Sequence, residues 1–144
     1  MSELTTSDRI TATPIPIDWH PGLSIYASEP FLKTVGDDYG WLGGMSGSGK
    51  LRCVLPYTVV HKPFFRMVRF RVETIPLGED LAIEEEKSFL DSVVAHFRAA
   101  GADLILPATT NTIFRYFPTD AVIAPYGTYI LDLTQTEDYL WRFP

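Results

Sequence analysis

The stretch AIEEEKSFLDSVVAHFRAAGADLIL, residues 82–106, decides the fold because it predicts a helix that leads directly into a strand. Its large apolar residues recur at helical spacing and share one face: Phe89, Leu90, Val93, Val94 and Phe97. Gly101 occupies the position just past a helix where left-handed backbone commonly ends it. We expect a helix over 82–100 and a strand over 103–106, packed together as an αβ unit.

Charged residues mark both ends of this predicted helix. Glu84, Glu85 and Glu86 lie in its first turns and Arg98 near its end, which complements the helix macrodipole. We expect the three glutamates to be solvated. Arg98 and Gly101 also have the spacing of the coenzyme A pyrophosphate loop of GNAT acetyltransferases, but that loop lies between a strand and a helix. Here the pair ends a helix and Asp103 replaces the last small residue, which indicates a helix cap.

Further upstream, the sequence predicts a short helix and then an antiparallel hairpin. Ser28 is a candidate N-cap, with Pro30 in the first helical turn. Strand-like segments at 41–45 and 51–61 flank a turn rich in serine and glycine. The turn GMSGSGK, residues 44–50, fits the spacing of a phosphate-binding loop, but a leucine follows the lysine and the next segment alternates like a strand. We therefore expect a hairpin turn and no nucleotide site.

Weaker signals predict further elements. A strand over 67–73 places Arg69 and Arg71 on one face and Arg66 on the opposite face. Extended segments are predicted at 15–19, 23–27, 120–124 and 128–133, and a short helical or irregular segment is predicted to begin at 109–112. Thr134 and Glu137 have the spacing of a capping box, which predicts the start of a helix.

Length and composition indicate one globular domain. The chain has 144 residues, 46% of them hydrophobic, which suits a single packed core. We expect residues 1–22 to form an extended N-terminal arm and 23–144 a single α/β domain. The formal charge of −6 argues against a non-specific nucleic-acid binder. No apolar run reaches the roughly 20 residues that a membrane span needs, and the N-terminus is polar. The cytoplasm is therefore the expected compartment.

Residues that commonly carry chemistry are few and scattered. Cys53, the one cysteine, lies in a strand-like apolar run and is predicted to be a small buried hydrophobe. His20, His61 and His96 form no metal-ligand spacing and no nucleophile elbow, and His96 is expected to be half-exposed at the border of the apolar stripe of the long helix. The sequence therefore predicts no metal site and no cofactor, and it assigns no catalytic residue.

Two segments resemble a known family. Within residues 125–141, a strand followed by a capped helix carries the residues of the pattern: Thr128, Asp132, Leu133, Thr136, Glu137, Leu140 and Trp141. The second similar segment is YASEPFLK, residues 26–33, which is followed by Tyr39-Gly-Trp41 and a hairpin. In their order and spacing these segments are similar to the FemAB family, the Fem-type aminoacyltransferases that build peptidoglycan bridges.

The resemblance implies a fold and a reaction. It implies a GNAT-like α/β fold, with a mixed, largely antiparallel twisted sheet flanked by helices. Family members carry two GNAT-like halves, and this chain resembles the first half only, so it is expected to be inactive alone. The implied function is acyl or aminoacyl transfer to a cell-wall precursor. A lysine that contacts the sugar nucleotide in the family falls near Lys33, which is the predicted substrate-binding residue.

The implied partner is a second GNAT-like half, or another copy of the chain through the C-terminal aromatic segment around Trp141. The alternative function is a non-catalytic GNAT-like module for binding or assembly. In that case the aromatic residues Phe114, Tyr116 and Phe117 are candidates for its contact patch, although core packing is also expected for at least two of them.

Overall fold

A computed structural model describes residues 9–78, 80–107, 114–123 and 132–142, and the structural statements below concern these residues. The strands are β1 (Thr11–Ile15), β2 (Asp38–Met45), β3 (Leu51–Lys62), β4 (Phe65–Phe70), β5 (Ile75–Pro76) and β6 (Leu104–Pro107). The helices are α1 (Glu29–Val35), α2 (Ile83–Ala99) and α3 (Glu137–Leu140), and a 3-10 turn spans Ile25–Ala27.

The six strands form one mixed sheet in the order β1-β2-β3-β4-β6, with β5 paired to β3. All neighbours are antiparallel except β4 and β6, which run parallel from Met67↔Leu104 to Phe70↔Pro107. A parallel pair needs a long crossover connection, and α2 lies within this one. The predicted α/β architecture, a mixed and largely antiparallel sheet flanked by helices, is confirmed.

The predicted helix over 82–100 is also confirmed, since α2 has Ala82 as N-cap and Ala100 as C-cap. The Glu85 carboxylate accepts a hydrogen bond from the Ala82 amide at 2.9 Å and so satisfies one free donor at the helix start. Gly101 has a φ of +82°, the left-handed conformation expected past a helix end. Helix and strand are therefore joined where the sequence predicts.

Two apolar clusters hold the helices to opposite faces of the sheet. The larger one joins α2 to β2, β3 and β4 and buries Ile10, Leu42, Cys53, Leu55, Val59, Val68, Phe70, Leu81, Phe89, Leu90, Val93 and Phe97. The smaller one lies beneath α1 and buries Ala27, Leu32, Trp41, Val54 and Val72. We call these faces the α2 side and the α1 side of the sheet.

The hairpin is confirmed, with β2 and β3 paired from Asp38↔Val59 to Met45↔Leu51. Its turn is closed by a hydrogen bond from the Ser46 amide to the Lys50 carbonyl at 2.9 Å. Gly44, the first glycine of the phosphate-loop-like spacing, lies inside β2, where a Cβ atom would come within 2.5 Å of Cys53 Sγ. This glycine is therefore required by sheet packing.

Residues 11–15, within the predicted N-terminal arm, form an edge strand of the sheet. β1 pairs with β2, so this part of the chain is fixed to the sheet. The Ser88 and Ser92 hydroxyls of α2 accept hydrogen bonds from the amides of Ile10 at 3.0 Å and Ala12 at 2.8 Å.

Several local predictions are wrong. Residues 23–27 contain a 3-10 turn instead of a strand, because the Ala27 and Ser28 amides bond to the carbonyls three residues before them. The strand predicted over 67–73 begins earlier and ends at Phe70. Residues 120–123 are not a strand, and Asp120 has a positive φ of 64°. The predicted segments at 109–112 and 128–131 lie outside the described residues.

The last helix begins two residues later than predicted, with Thr136 as its N-cap. Thr134 instead donates from its amide and its hydroxyl to Asp132 Oδ1, at 2.9 and 2.6 Å. Hydrogen bonds from Thr134 and Gln135 lower the pKa of Asp132 to about 2. An aspartate side chain that accepts a hydrogen bond from a nearby backbone amide competes with helix formation at that amide. This competition explains why the helix begins two residues later than predicted.

The sequence predicted that all three glutamates at the start of α2 are solvated, and this prediction is wrong. Glu84 is exposed, but Glu85 pairs with Arg52 at 3.1 Å and Glu86 is only 2% exposed. Arg115 compensates the buried Glu86 charge with an Nε–Oε2 contact of 2.8 Å. The partner lies 29 residues along the chain, so local sequence could not indicate it.

Candidate functional site

Polar side chains meet in a small cavity on the α2 side of the sheet. This α2-side cavity has a volume of about 100 Å³ and lies between the end of α2 and strands β3 and β4. Its polar lining consists of Asp38, Tyr57, Arg66 and His96. The Tyr57 ring packs edge-on against Phe97 with centroids 4.8 Å apart, and burial raises the pKa of its hydroxyl, with Asp38 adding to the rise.

Arg66 is partly committed to holding the fold, although its Nε is buried without an acceptor among the described residues. Arg66 Nη1 donates to the Ala100 carbonyl at 2.6 Å, and the Arg66 amide donates to Asp103 Oδ2 at 2.8 Å. These two contacts fasten the end of α2 to β4. His96 is half-buried, as predicted, and packs edge-on against Phe97. At about 100 Å³ the cavity is small beside the roughly 300–1,000 Å³ of ordinary ligand pockets.

A second cluster of charge lies on the α1 side, where Arg69 and Arg71 form what we call the arginine pair. Arg71 donates from Nε to Thr58 Oγ1 at 2.9 Å and from Nη2 to the Val35 carbonyl, at the end of α1, at 3.0 Å. Burial lowers the pKa of Arg71, and the positive charge of Arg69 lowers it further. Arg71 nevertheless stays charged at neutral pH. Arg66 and Arg71 bind opposite helices, so the predicted division of the arginines between two faces is confirmed.

Arg69 has no partner for its charge among the described residues. Its Nε is buried and meets no hydrogen-bond acceptor there. In the same part of the chain no carboxylate lies within salt-bridge distance of Arg69 or Arg71, whereas Arg52, Lys87 and Arg115 each pair with an acid. A half-buried guanidinium without an acceptor is costly, so this arrangement favours an anion supplied from outside.

Lys33, the predicted substrate-binding residue, lies exposed in the last turn of α1. Its side chain forms no hydrogen bond with the residues that the structure describes. Two residues later, the Val35 carbonyl accepts from Arg71, so the end of α1 is brought to the arginine pair. The sequence did not single out the pair as a site. The available signal was FRMVRFR, residues 65–71, a strand with three arginines and no acid.

Cys53 is fully buried, as predicted, and burial raises its pKa to about 12. A thiol held in this state is not nucleophilic at neutral pH. In the described ranges, no group of three or more histidine, cysteine or acidic residues is arranged to hold a metal ion. No helix of the described chain has the length and apolar character that crossing a bilayer requires.

The candidate aromatic contact patch is divided between core and surface. Phe114 packs on the α2-side core, edge-on to Phe70 with centroids 5.8 Å apart. Phe117 is 49% exposed and stacks on Tyr116 with centroids 5.1 Å apart. Near the other end, Trp141 is 80% exposed. Of the three candidate patch residues Phe117 is therefore the exposed one, while Phe64, in the turn before β4, is 97% exposed.

Neither a scan against protein-family models nor searches of curated proteins and of solved structures found a match to this chain. Its function is therefore inferred from its own residues and their geometry.

Proposed function

We propose that this domain is the first GNAT-like unit of an acyl or aminoacyl transferase that acts on a cell-wall precursor. The observation that supports it is the mixed sheet in which α2 connects the parallel pair β4 and β6. The same order of short helix, hairpin, strand, long helix and strand is the one that the FemAB resemblance implies. A cytoplasmic location and a second GNAT-like half as partner belong to the same proposal.

The reaction is attack of an amine on an activated ester or thioester. The amine nitrogen forms a bond to the acyl carbon, the bond from that carbon to the ester oxygen or thioester sulfur breaks, and the nitrogen loses a proton. A domain of this kind contributes by positioning the substrate and stabilising the oxyanion. The described residues supply binding groups, namely Lys33 and the arginine pair, so we assign substrate binding to this unit and expect no turnover by the chain alone.

Binding of a nucleotide-linked muramyl peptide, measured by isothermal titration calorimetry, tests the proposal. We expect saturable binding by the wild-type chain and weaker binding by Lys33→Ala. Lys50→Ala is the matched control, because Lys50 is exposed in the hairpin turn and the turn is not expected to bind nucleotide. Absence of saturable binding by the wild-type chain would contradict the proposal.

Exposed aromatic residues favour the alternative, a non-catalytic module for binding or assembly. Trp141 is 80% and Tyr139 48% exposed, and a surface of this kind commonly marks a protein interface. In this case the chain associates through its C-terminal aromatic segment, with another copy or with a second GNAT-like half. Sedimentation of the wild type and of Trp141→Ala over a concentration series tests it. A strictly monomeric wild type would rule out self-association through this segment.

A further inference from the structure

The α1 side of the sheet carries two neighbouring positive charges that no described acid balances. Arg69 lies in β4, opposite Thr58 of β3, and Arg71 follows just beyond the strand. Arg71 is held by Thr58 and by the end of α1, so its position is fixed by the fold. Arg69 is only half-buried, yet its Nε is buried without an acceptor in the described residues.

We infer that Arg69 and Arg71 form a binding site for phosphate and take the diphosphate group of a nucleotide-linked substrate. Two adjacent guanidinium groups suit a doubly charged, multi-oxygen anion. Arg69 forms no side-chain hydrogen bond among the described residues, and Arg71 keeps the N–H groups that Thr58 and the Val35 carbonyl do not take. The choice of a nucleotide-linked substrate rests on the proposed function, whereas phosphate binding by the pair does not.

The face beside the arginine pair is open to a ligand. In the parallel register Arg69 lies next to Leu106 and Met67 next to Leu104, and these two leucines are 38% and 41% exposed. The contacts of α1 with the sheet are mainly to β2 and β3, so the exposed leucines lie away from the centre of the helix. An anion can therefore approach the partly exposed Arg69 side chain from this edge.

Titration with inorganic pyrophosphate tests the site directly. We expect saturable binding by the wild type and a loss of about tenfold or more in affinity for Arg69→Gln, as removal of charge-assisted hydrogen bonds predicts. The affinity of Arg69→Lys should lie between those of the wild type and Arg69→Gln, because lysine keeps the charge but lacks the planar guanidinium of arginine. Arg98→Gln is the control, since Arg98 is an exposed arginine in the last turn of α2. Circular dichroism checks that each variant is folded.

The outcomes separate this inference from the proposed function. Absent pyrophosphate binding, equal affinity in Arg69→Gln, or an equal loss in Arg98→Gln would overturn the phosphate site. A nucleotide-linked muramyl peptide that binds Arg69→Gln as tightly as the wild type would overturn the assignment of its diphosphate group to this site and leave the proposed function standing. Pyrophosphate binding that depends on Arg69, without binding of that precursor, would support the site and contradict the proposed function.

Discussion

The two faces of the sheet differ in how much apolar surface a helix covers and in how far their arginine side chains are hydrogen-bonded. On the α2 side a 17-residue helix covers a continuous apolar core, and the cation of that cavity, Arg66, bonds to the helix end. On the α1 side a 7-residue helix covers a smaller cluster, and the Arg69 side chain forms no hydrogen bond among the described residues, whereas Arg66 lacks an acceptor at Nε but is bonded through Nη1. The difference indicates that stability comes mainly from the α2 side and that ligand binding belongs to the α1 side.

Truncating an apolar residue on each face is the strongest way to test this comparison. Phe89 of α2 is fully buried, whereas Leu106 on β6 is 38% exposed. We expect Phe89→Ala to lower the free energy of unfolding by about 3–5 kcal/mol, through lost burial and a residual cavity. Leu106→Ala should cost less than about 1 kcal/mol, because much of its surface already meets water. Urea denaturation followed by circular dichroism measures both. Equal costs would contradict the division between faces.

Added volume in the α2-side core should have a smaller effect. A Cβ on Gly44 would lie 2.5 Å from Cys53 Sγ and 2.7 Å from Ile10 Cγ2. We expect Gly44→Ala to lower the free energy of unfolding by about 1–3 kcal/mol, as overpacking does. Adding Cys53→Ala should recover part of this loss, since it removes the closest contact. Cys53→Ala alone is the reference. If the two single losses in the free energy of unfolding simply add in the double variant, the strain does not arise at the sulfur.

The smallest effect concerns the outer surface of α2. Burial raises the pKa of Asp91, but hydrogen bonds from Lys87 and Thr119 outweigh it, so the net pKa lies below the usual 3.8. A lowered pKa means that the ionised carboxylate stabilises the fold above pH 3.8 and that this contribution is lost as the pH falls through the folded-state pKa. Asp91→Asn should cost less than about 1 kcal/mol at pH 7, because the pair is partly exposed. The cost should shrink at acidic pH, as measured by urea denaturation at several pH values. An unchanged or larger difference at acidic pH would argue against this linkage.

The parts of the fold that the sequence predicts are those set by local periodicity and by glycine. α2, its end at Gly101 and the β2–β3 hairpin follow from spacing within one segment. The burial of Glu86 was not predictable in this way, because it depends on Arg115 across the tertiary structure. The same holds for the candidate site. Alternation places Arg69 and Arg71 on one face, but the lack of a nearby acid is a property of the assembled sheet.

Nuclear magnetic resonance of the arginine side chains tests most directly whether ligand binding belongs to the α1 side. Arg66 and Arg69 make an internal comparison, because each has a buried Nε without an acceptor among the described residues and they lie on opposite faces of the sheet. On titration with pyrophosphate we expect the Nε–Hε signals of Arg69 and Arg71 to shift and saturate together, while that of Arg66 stays unchanged. Shifts confined to Arg66 and His96, or no saturable shift at Arg69, would contradict the account.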